Sequence, residues 1–276
     1  MLPTLFQIGP IPVRSFGVMV LAGFLLGLAY ALRRVRGGWA GRGPGEPGAI
    51  TREHVFDMSL GGLFVCIVGA RLLFIALDWR QFSGRPLDLF KVWSGGISII
   101  GAIIAGSLYL WWYCRRHGLQ FLEFADLAAP AFALGYAVGR IGCFLNGCCY
   151  GHPCDLPWAV RFPSEAVPGT LTPPSHPAQL YATLMGLAIF GILDRWTRRP
   201  RQSGEAFLGF LGLYALYRFI DEIFRKGATA QVLVAGLTHA QVLSLVVLPI
   251  VLFLLVRLRR SPRRPQAGEM ASTPQR

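Results

Sequence analysis

Seven stretches of the chain are each apolar and long enough to fill the core of a lipid bilayer, and nothing else in the sequence limits the fold so strongly. A bilayer core takes about 20 apolar residues as helix, because backbone polar groups inside it must be paired within the segment. The stretches lie at about 15–33, 55–78, 95–114, 120–145, 177–195, 204–224 and 238–257. With 53% hydrophobic and only 15% charged residues, the composition fits a polytopic membrane protein and argues against a soluble enzyme. The expected fold is therefore all-α, with seven transmembrane helices. The connecting gaps are short, so residues 1–260 are expected to form a single domain, with 261–276 a polar, disordered tail. The first run is followed, not preceded, by its basic cluster and lacks a small-residue cleavage site, so it reads as a permanent anchor.

Orientation follows from the basic residues. Of the 27 Lys and Arg, 17 fall on the side carrying the loop 33–54, Arg115, Arg116, the loop 195–201 and the C-terminal stretch from Arg257 to Arg276, and seven fall on the other. The richer side is expected to be cytoplasmic, which places the N-terminus outside and the C-terminus inside. The net charge of +13 does not mark a nucleic-acid binder, because the basic residues are spread between apolar runs and form no single face. Anionic lipid headgroups are the more natural partner.

Three arginines remain, and they lie inside apolar runs: Arg71, Arg140 and Arg218. A charge at mid-membrane costs roughly 2.5–3.5 kcal/mol on insertion scales, so each one is a functional-site hypothesis. All three sit in runs that pass outward, about six or seven residues before the end, or roughly 10 Å below the outer surface at 1.5 Å per residue. The outer ends of other runs add residues 94–96, His176, Gln179, Tyr181, His239 and Gln241 to that layer.

The segment 139–151, GRIGCFLNGCCYG, carries Arg140 and Asn146. Before it, Ala131, Gly135 and Gly139 recur every four residues, the small-residue pattern that lets helix backbones approach closely. Arg140 is either a ligand-binding cation or half of a structural ion pair. In the sixth run Tyr214, Arg218, Asp221, Glu222 and Arg225 form one polar stripe, in which Arg218 can pair with Asp221 or Glu222 at i+3 or i+4. A self-neutralised stripe is one reading of it. The other starts from three deep arginines outnumbering two nearby acids, so that a ligand anion balances the layer. Guanidinium matches phosphate oxygens bidentately, which points to a phosphate-bearing lipid. Gly101 and Gly106, in the run 93–106, serve either a ligand or helix packing. In HPAQLY at 176–181, Pro177 opens the helix where a missing N–H costs least, leaving His176 at the entrance to move protons or simply to hydrogen-bond. Cys143, Cys148, Cys149, His152 and Cys154 are spaced unlike the usual zinc pairs, so no metal is assigned, and a disulfide from Cys148 or Cys149 to Cys154 stands beside that reading.

Taken in order, GAR at 69–71, VWSGGIS at 92–98, GRIGCFLNGCCYG, HPAQLY and YALYRFIDEIFR at 214–225 resemble the bacterial prolipoprotein diacylglyceryl transferase family over roughly residues 8–258. The resemblance implies a multi-pass enzyme of the cell inner membrane, without a cofactor. Its reaction would move a diacylglyceryl group from phosphatidylglycerol to the lipobox cysteine thiol in the signal peptide of a prolipoprotein, releasing glycerol phosphate. It implies that Arg140 and Arg218 are the essential phosphate-side arginines and that Asn146, Gly151, Tyr214, Glu222 and Arg225 occupy motif positions. His176 is then a candidate base, with Arg71, Gln179 and Tyr181 on the substrate side. The chain departs from the family pattern at Ile100, where a His or Tyr is usual, at Phe16 for a tyrosine, at Cys143 for an asparagine and at Ala182 for a glutamate. Loss of the His or Tyr keeps open a non-catalytic relative that binds anionic lipid or lipoprotein as a scaffold, or a thiol-based sensor. The only lysines, Lys91 and Lys226, lie outside the mid-span positions, which excludes a buried Schiff base.

Overall fold

A computed structural model describes residues 1–9, 11–40, 42, 45–79, 96, 98–164, 169–198, 202–225, 232–234 and 236–260. The expected tail and residues 92–95 and 97 of the VWSGGIS run lie outside these. Among the described residues the chain is mostly helical, with α1 Ser15–Arg34, α2 Arg52–Leu77, α3 Ile99–Arg116, α4 Phe121–Asn146, α5 Ala178–Thr197, α6 Glu205–Phe224 and α7 His239–Arg260. Two short hairpins complete the elements: β1 Thr4–Ile8 with β2 Ile11–Arg14, and β3 Val232–Val234 with β4 Leu237–Thr238, both antiparallel. α1, α2, α4 and α7 are long and apolar enough to cross a membrane. α6 carries four charges along its length, Glu205, Arg218, Asp221 and Glu222.

Each helix matches one expected apolar run, and the largest shifts at helix starts come from caps. α2 starts three residues early, because Thr51 and His54 form a reciprocal capping box in front of Arg52. α3 starts four residues late, at Ile99, where the Ser98 side chain accepts the Gly101 N–H.

The chain forms two compact units, Leu32–Phe124 and the combination of Met1–Ala31 with Ala125–Arg276. In the unit Leu32–Phe124, α2 and α3 pack through small residues. A Cβ on Gly101 would strike the Gly69 carbonyl, and one on Gly106 would sit 2.7 Å from Cys66 Sγ. Packing is therefore what these two glycines serve. Trp39 Nε1 donates to the Glu123 carbonyl at 3.2 Å, and Arg42 pairs with Glu123 at 2.6 Å.

In the other unit α1 lies against α4. A Cβ on Gly23 would stand 2.8 Å from the Gly135 carbonyl, and one on Gly27 would stand 3.1 Å from that of Ala131. Two members of the four-residue series thus make the close approach expected of them, while a Cβ on Gly139 would meet nothing within 4 Å. Ala129, Ala133, Ala182, Ile189, Leu193 and Tyr217, drawn from α4, α5 and α6, form a buried core. The Asp126 carboxylate near the start of α4 accepts the backbone N–H groups of Gly204 and Phe207 at 2.6 and 2.7 Å, satisfying two orphan donors of α6. Ten residues further along each helix, the Tyr136 and Tyr217 hydroxyls meet at 2.9 Å. Long side chains, not touching backbones, therefore link α4 to α6.

Candidate active site

The site is built where α4 ends. Arg140, one turn after Tyr136, holds its guanidinium carbon 4.8 Å from the centre of that ring. Such a cation–π contact contributes about 0.5–2 kcal/mol and leaves the N–H donors available. Among the described residues no carboxylate lies within ion-pair distance of Arg140. Tyr136 is fixed in turn by the Tyr217 hydroxyl and by the edge of Tyr214, whose ring centre is 5.6 Å away. Three tyrosines thus hold the arginine without neutralising it.

Beyond Asn146 the backbone turns sharply, with φ of 78° at Gly147 and 63° at Cys149. The turn folds Cys148 and Cys149 back over the last helical turn, bringing their sulfurs and that of Cys143 within 4.8 Å of one another. All six cysteines are free thiols, so neither proposed disulfide to Cys154 is present. The Asn146 side chain bonds the Cys148 thiol, and Gln179 Nε2 donates to the Cys148 carbonyl at 2.7 Å. Gln179 is fully buried, and its Oε1 has no hydrogen-bond partner among the described residues. Thiol hydrogen bonds from Cys143 and Cys148 lower the pKa of Cys149, and the charges of Arg225 and Arg140 act in the same direction.

Arg225 reaches this end of the unit because Gly151 forms a β-bridge with it. The Gly151 N–H donates to the His176 carbonyl at 2.9 Å, and the His152 N–H to that of Phe224 at 2.9 Å. A side chain at 151 has no room: its Cβ would overlap the Phe224 carbonyl and lie 2.7 Å from His176 Cβ. Glycine is required here for close backbone approach. The His176 Nδ1 is 3.3 Å from the Tyr181 hydroxyl, which also accepts the Trp158 indole N–H at 2.8 Å. The Tyr181 hydroxyl can still donate to His176 Nδ1 or accept from it, and in the tautomer where Nδ1–H donates, Nε2 is free to take a proton.

The α6 stripe is arranged differently. Arg218 Nη1 stands 3.0 Å from Asp221 Oδ2 and 2.6 Å from Glu222 Oε2, with both acids buried. The Glu222 contact lacks hydrogen-bond alignment, and neither of its carboxylate oxygens has a hydrogen-bond partner among the described residues. One cation faces two carboxylates. The ion pairing permitted by the sequence spacing is therefore realised in full.

Of the residues singled out from the sequence, Arg140, Asn146, Gly151, His176, Gln179, Tyr181 and Arg225 gather at the end of α4, and Tyr214, Arg218 and Glu222 line α6 next to Tyr136 and Tyr217. Arg71 belongs to the unit Leu32–Phe124, where it is 6% exposed, donates to the Gly96 carbonyl at 2.8 Å and lies over the Phe74 ring at 5.9 Å. Ile100, the second residue of α3, is 58% exposed. Sequence reasoning missed Tyr217, Trp158 and Phe224. Tyr217 was signalled by standing one residue before Arg218, whereas the other two enter only through loop folding.

Comparison with known proteins bears on this arrangement. The family model for prolipoprotein diacylglyceryl transferase matches residues 3–257. The chain is 37% identical over 227 residues to the phosphatidylglycerol–prolipoprotein diacylglyceryl transferase of Vibrio vulnificus strain CMCP6, covering 81% of this chain and 79% of that protein. Enzymes of the same name from Vibrio parahaemolyticus (35% over 247 residues, 88% and 85% covered) and Vibrio cholerae (36% over 249 residues, 88% and 86% covered) are similar to it as well. The chain belongs to the prolipoprotein diacylglyceryl transferase family.

Proposed function

We infer that this chain transfers the diacylglyceryl group of phosphatidylglycerol to the lipobox cysteine thiol of prolipoproteins. The observation that carries the reading is Arg140: a cation near the end of a membrane helix, held by tyrosines and paired with no carboxylate among the described residues. The acceptor thiol loses its proton to a base, and the thiolate attacks the glyceryl carbon attached to phosphate. A C–S bond forms as the C–O bond to phosphorus breaks, and glycerol phosphate leaves with one more negative charge than the phosphodiester carried. Preorganised cations aimed at that developing charge lower the barrier. Arg140 is the primary phosphate ligand, with Arg225 adding field from the Gly151 bridge. His176 Nε2 takes the thiol proton, and the buried Gln179 Oε1 accepts a hydroxyl of the glycerol head. Arg218 supports the site through Asp221, Glu222 and Tyr214, and Arg71 contributes to substrate binding.

The same reading places residues 1–260 in the bacterial inner membrane as one seven-span transferase domain. Its N-terminus faces the periplasm and its C-terminus the cytoplasm, so the donor lipid is taken from the outer leaflet. The basic-residue distribution and the seven helices support this arrangement. The test is purified protein with phosphatidylglycerol and a lipobox peptide, scored for lipidated peptide and released glycerol phosphate. Both products should appear in equal amounts, and both should be lost in Arg140→Ala. Binding of lipid or peptide with no product would instead mark the chain as a scaffold.

A further inference from the structure

Cys143, Cys148 and Cys149 take no part in the reaction just described, yet the fold brings their sulfurs within 4.8 Å of one another. Their spacing does not announce this, because it depends on the two left-handed residues, Gly147 and Cys149, that fold the chain back over the last turn of α4. We propose that these three thiols form a site for one soft monovalent metal ion, of which copper(I) is the type.

The chemistry selects the ion. Thiolates prefer soft metals over magnesium, calcium or manganese. Three sulfurs about 2.3 Å from an ion at the centre of their triangle are about 4 Å apart, so the present separations need only a small contraction. Zinc favours four ligands in a tetrahedron, and among the described residues no fourth His, Cys, Asp or Glu joins the group. A monovalent d10 ion accepts three-coordinate sulfur. The surroundings suit it as well. The site caps the C-terminal end of α4, where the helix dipole favours a cation, and the charges of Arg140 and Arg225 both act on Cys149, which favours thiolates. Binding releases to solvent the proton of every thiol that was protonated, and leaves one positive ion among three negative sulfurs. The ring of partners is fixed from outside by Gln179 Nε2 on the Cys148 carbonyl and by the Asn146 side chain on the Cys148 thiol.

The test is anaerobic titration of the full chain in detergent with copper(I) against a chromophoric copper(I) chelator. One ion per chain is expected, with a sulfur-to-copper charge-transfer band and three sulfur neighbours by X-ray absorption. Cys143→Ser, Cys148→Ser and Cys149→Ser should each weaken binding by more than the roughly 10–100-fold that loss of an outer partner costs. Cys66→Ser, Cys114→Ser and Cys154→Ser should leave it unchanged. Where a serine variant fails to fold, the sulfur count on the unmutated protein decides the matter. Retention of the ion in the Cys148→Ser/Cys149→Ser double variant, fewer than three sulfur neighbours, or zinc held in preference to copper would overturn the proposal. None of these measurements uses lipid transfer, so the site and the proposed activity fail separately.

Discussion

Arg140 and Arg218 sit on neighbouring helices in one compact unit, yet their surroundings are opposite. Arg140 lies against the Tyr136 ring, which Tyr214 and Tyr217 hold in place, and among the described residues it has no carboxylate. Arg218 is bound by Asp221 at 3.0 Å and Glu222 at 2.6 Å, so its charge is met before any ligand arrives. A buried cation without an anion is costly, and one with two is stable but occupied. The difference divides the labour: Arg140 is arranged to receive an external anion, and Arg218 to organise the groups around it. Two arginines that look equivalent in the sequence are unequal in the fold, because pairing depends on what lies three and four residues further along each helix.

The comparison breaks most directly at Arg140. Arg140→Ala should reduce transfer by roughly 10²–10³-fold or more, the effect of losing one preorganised donor to a developing anion, while thermal stability in detergent stays close to that of the parent. Arg140→Lys keeps the charge but loses the planar fork, so it should remain well below parental turnover. Full activity in the lysine variant would mean that charge alone suffices and would end the phosphate-ligand reading.

Arg218→Ala should behave differently, losing about 3–5 kcal/mol of stability together with activity, because two buried carboxylates lose their cation. Denaturation in detergent beside turnover separates the two cases. If Arg218→Ala is as stable as the parent yet inactive, Arg218 belongs with Arg140 as a direct ligand, and the division fails.

Gly151→Ala sharpens the comparison from the Arg225 side. The added methyl cannot fit against the Phe224 carbonyl, so the bridge must open and Arg225 must move. Misplacement of a catalytic group by about 1 Å costs up to about 10²-fold, so turnover should fall by roughly tenfold to a hundredfold, and Gly151→Ser should be no better. An alanine variant with normal kinetics would remove Arg225 from the site. The smallest effect is expected for Tyr217→Phe. It strips the Tyr136 hydroxyl of its partner and should lower stability by about 1–3 kcal/mol, with only a few-fold change in transfer. A loss as large as that of Arg140→Ala would show that the tyrosine pair takes part in the chemistry itself.

The helices were legible because each follows a long apolar run, and length and apolarity are written locally. Thr51 and Ser98 moved two boundaries through caps that hydropathy does not weigh. The approach of α1 to α4 was half visible, since the four-residue spacing marks α4, whereas its partners Gly23 and Gly27 are known only from the packing. At the site, the Arg218 pairs follow from helix periodicity. The approach of Arg225 to Cys149, which Arg140 also reaches, does not, because it is created by a bridge between Gly151 and Arg225, far apart along the chain. The thiol group was hidden for the same reason. Its geometry comes from two positive φ angles, and a spacing rule cannot supply those. The VWSGGIS run contributes to the family resemblance but falls largely outside the described residues.

The double tie between α4 and α6 has a consequence for the lengths of these helices. Asp126 reaches Phe207 and Tyr136 reaches Tyr217, so the two helices run parallel and are gauged at two marks ten residues apart on each. Arg140 and Arg218 lie just beyond the second mark, like readings on a pair of matched rulers. One residue inserted in α4 between the marks would advance everything after it by about 1.5 Å and rotate it by about 100°. Arg140 would then face another neighbour, although every side chain of the site remained in the chain. Substitutions at the outer surface of α4 leave this calibration untouched, while insertions and deletions between residues 126 and 140, or 207 and 218, reset it.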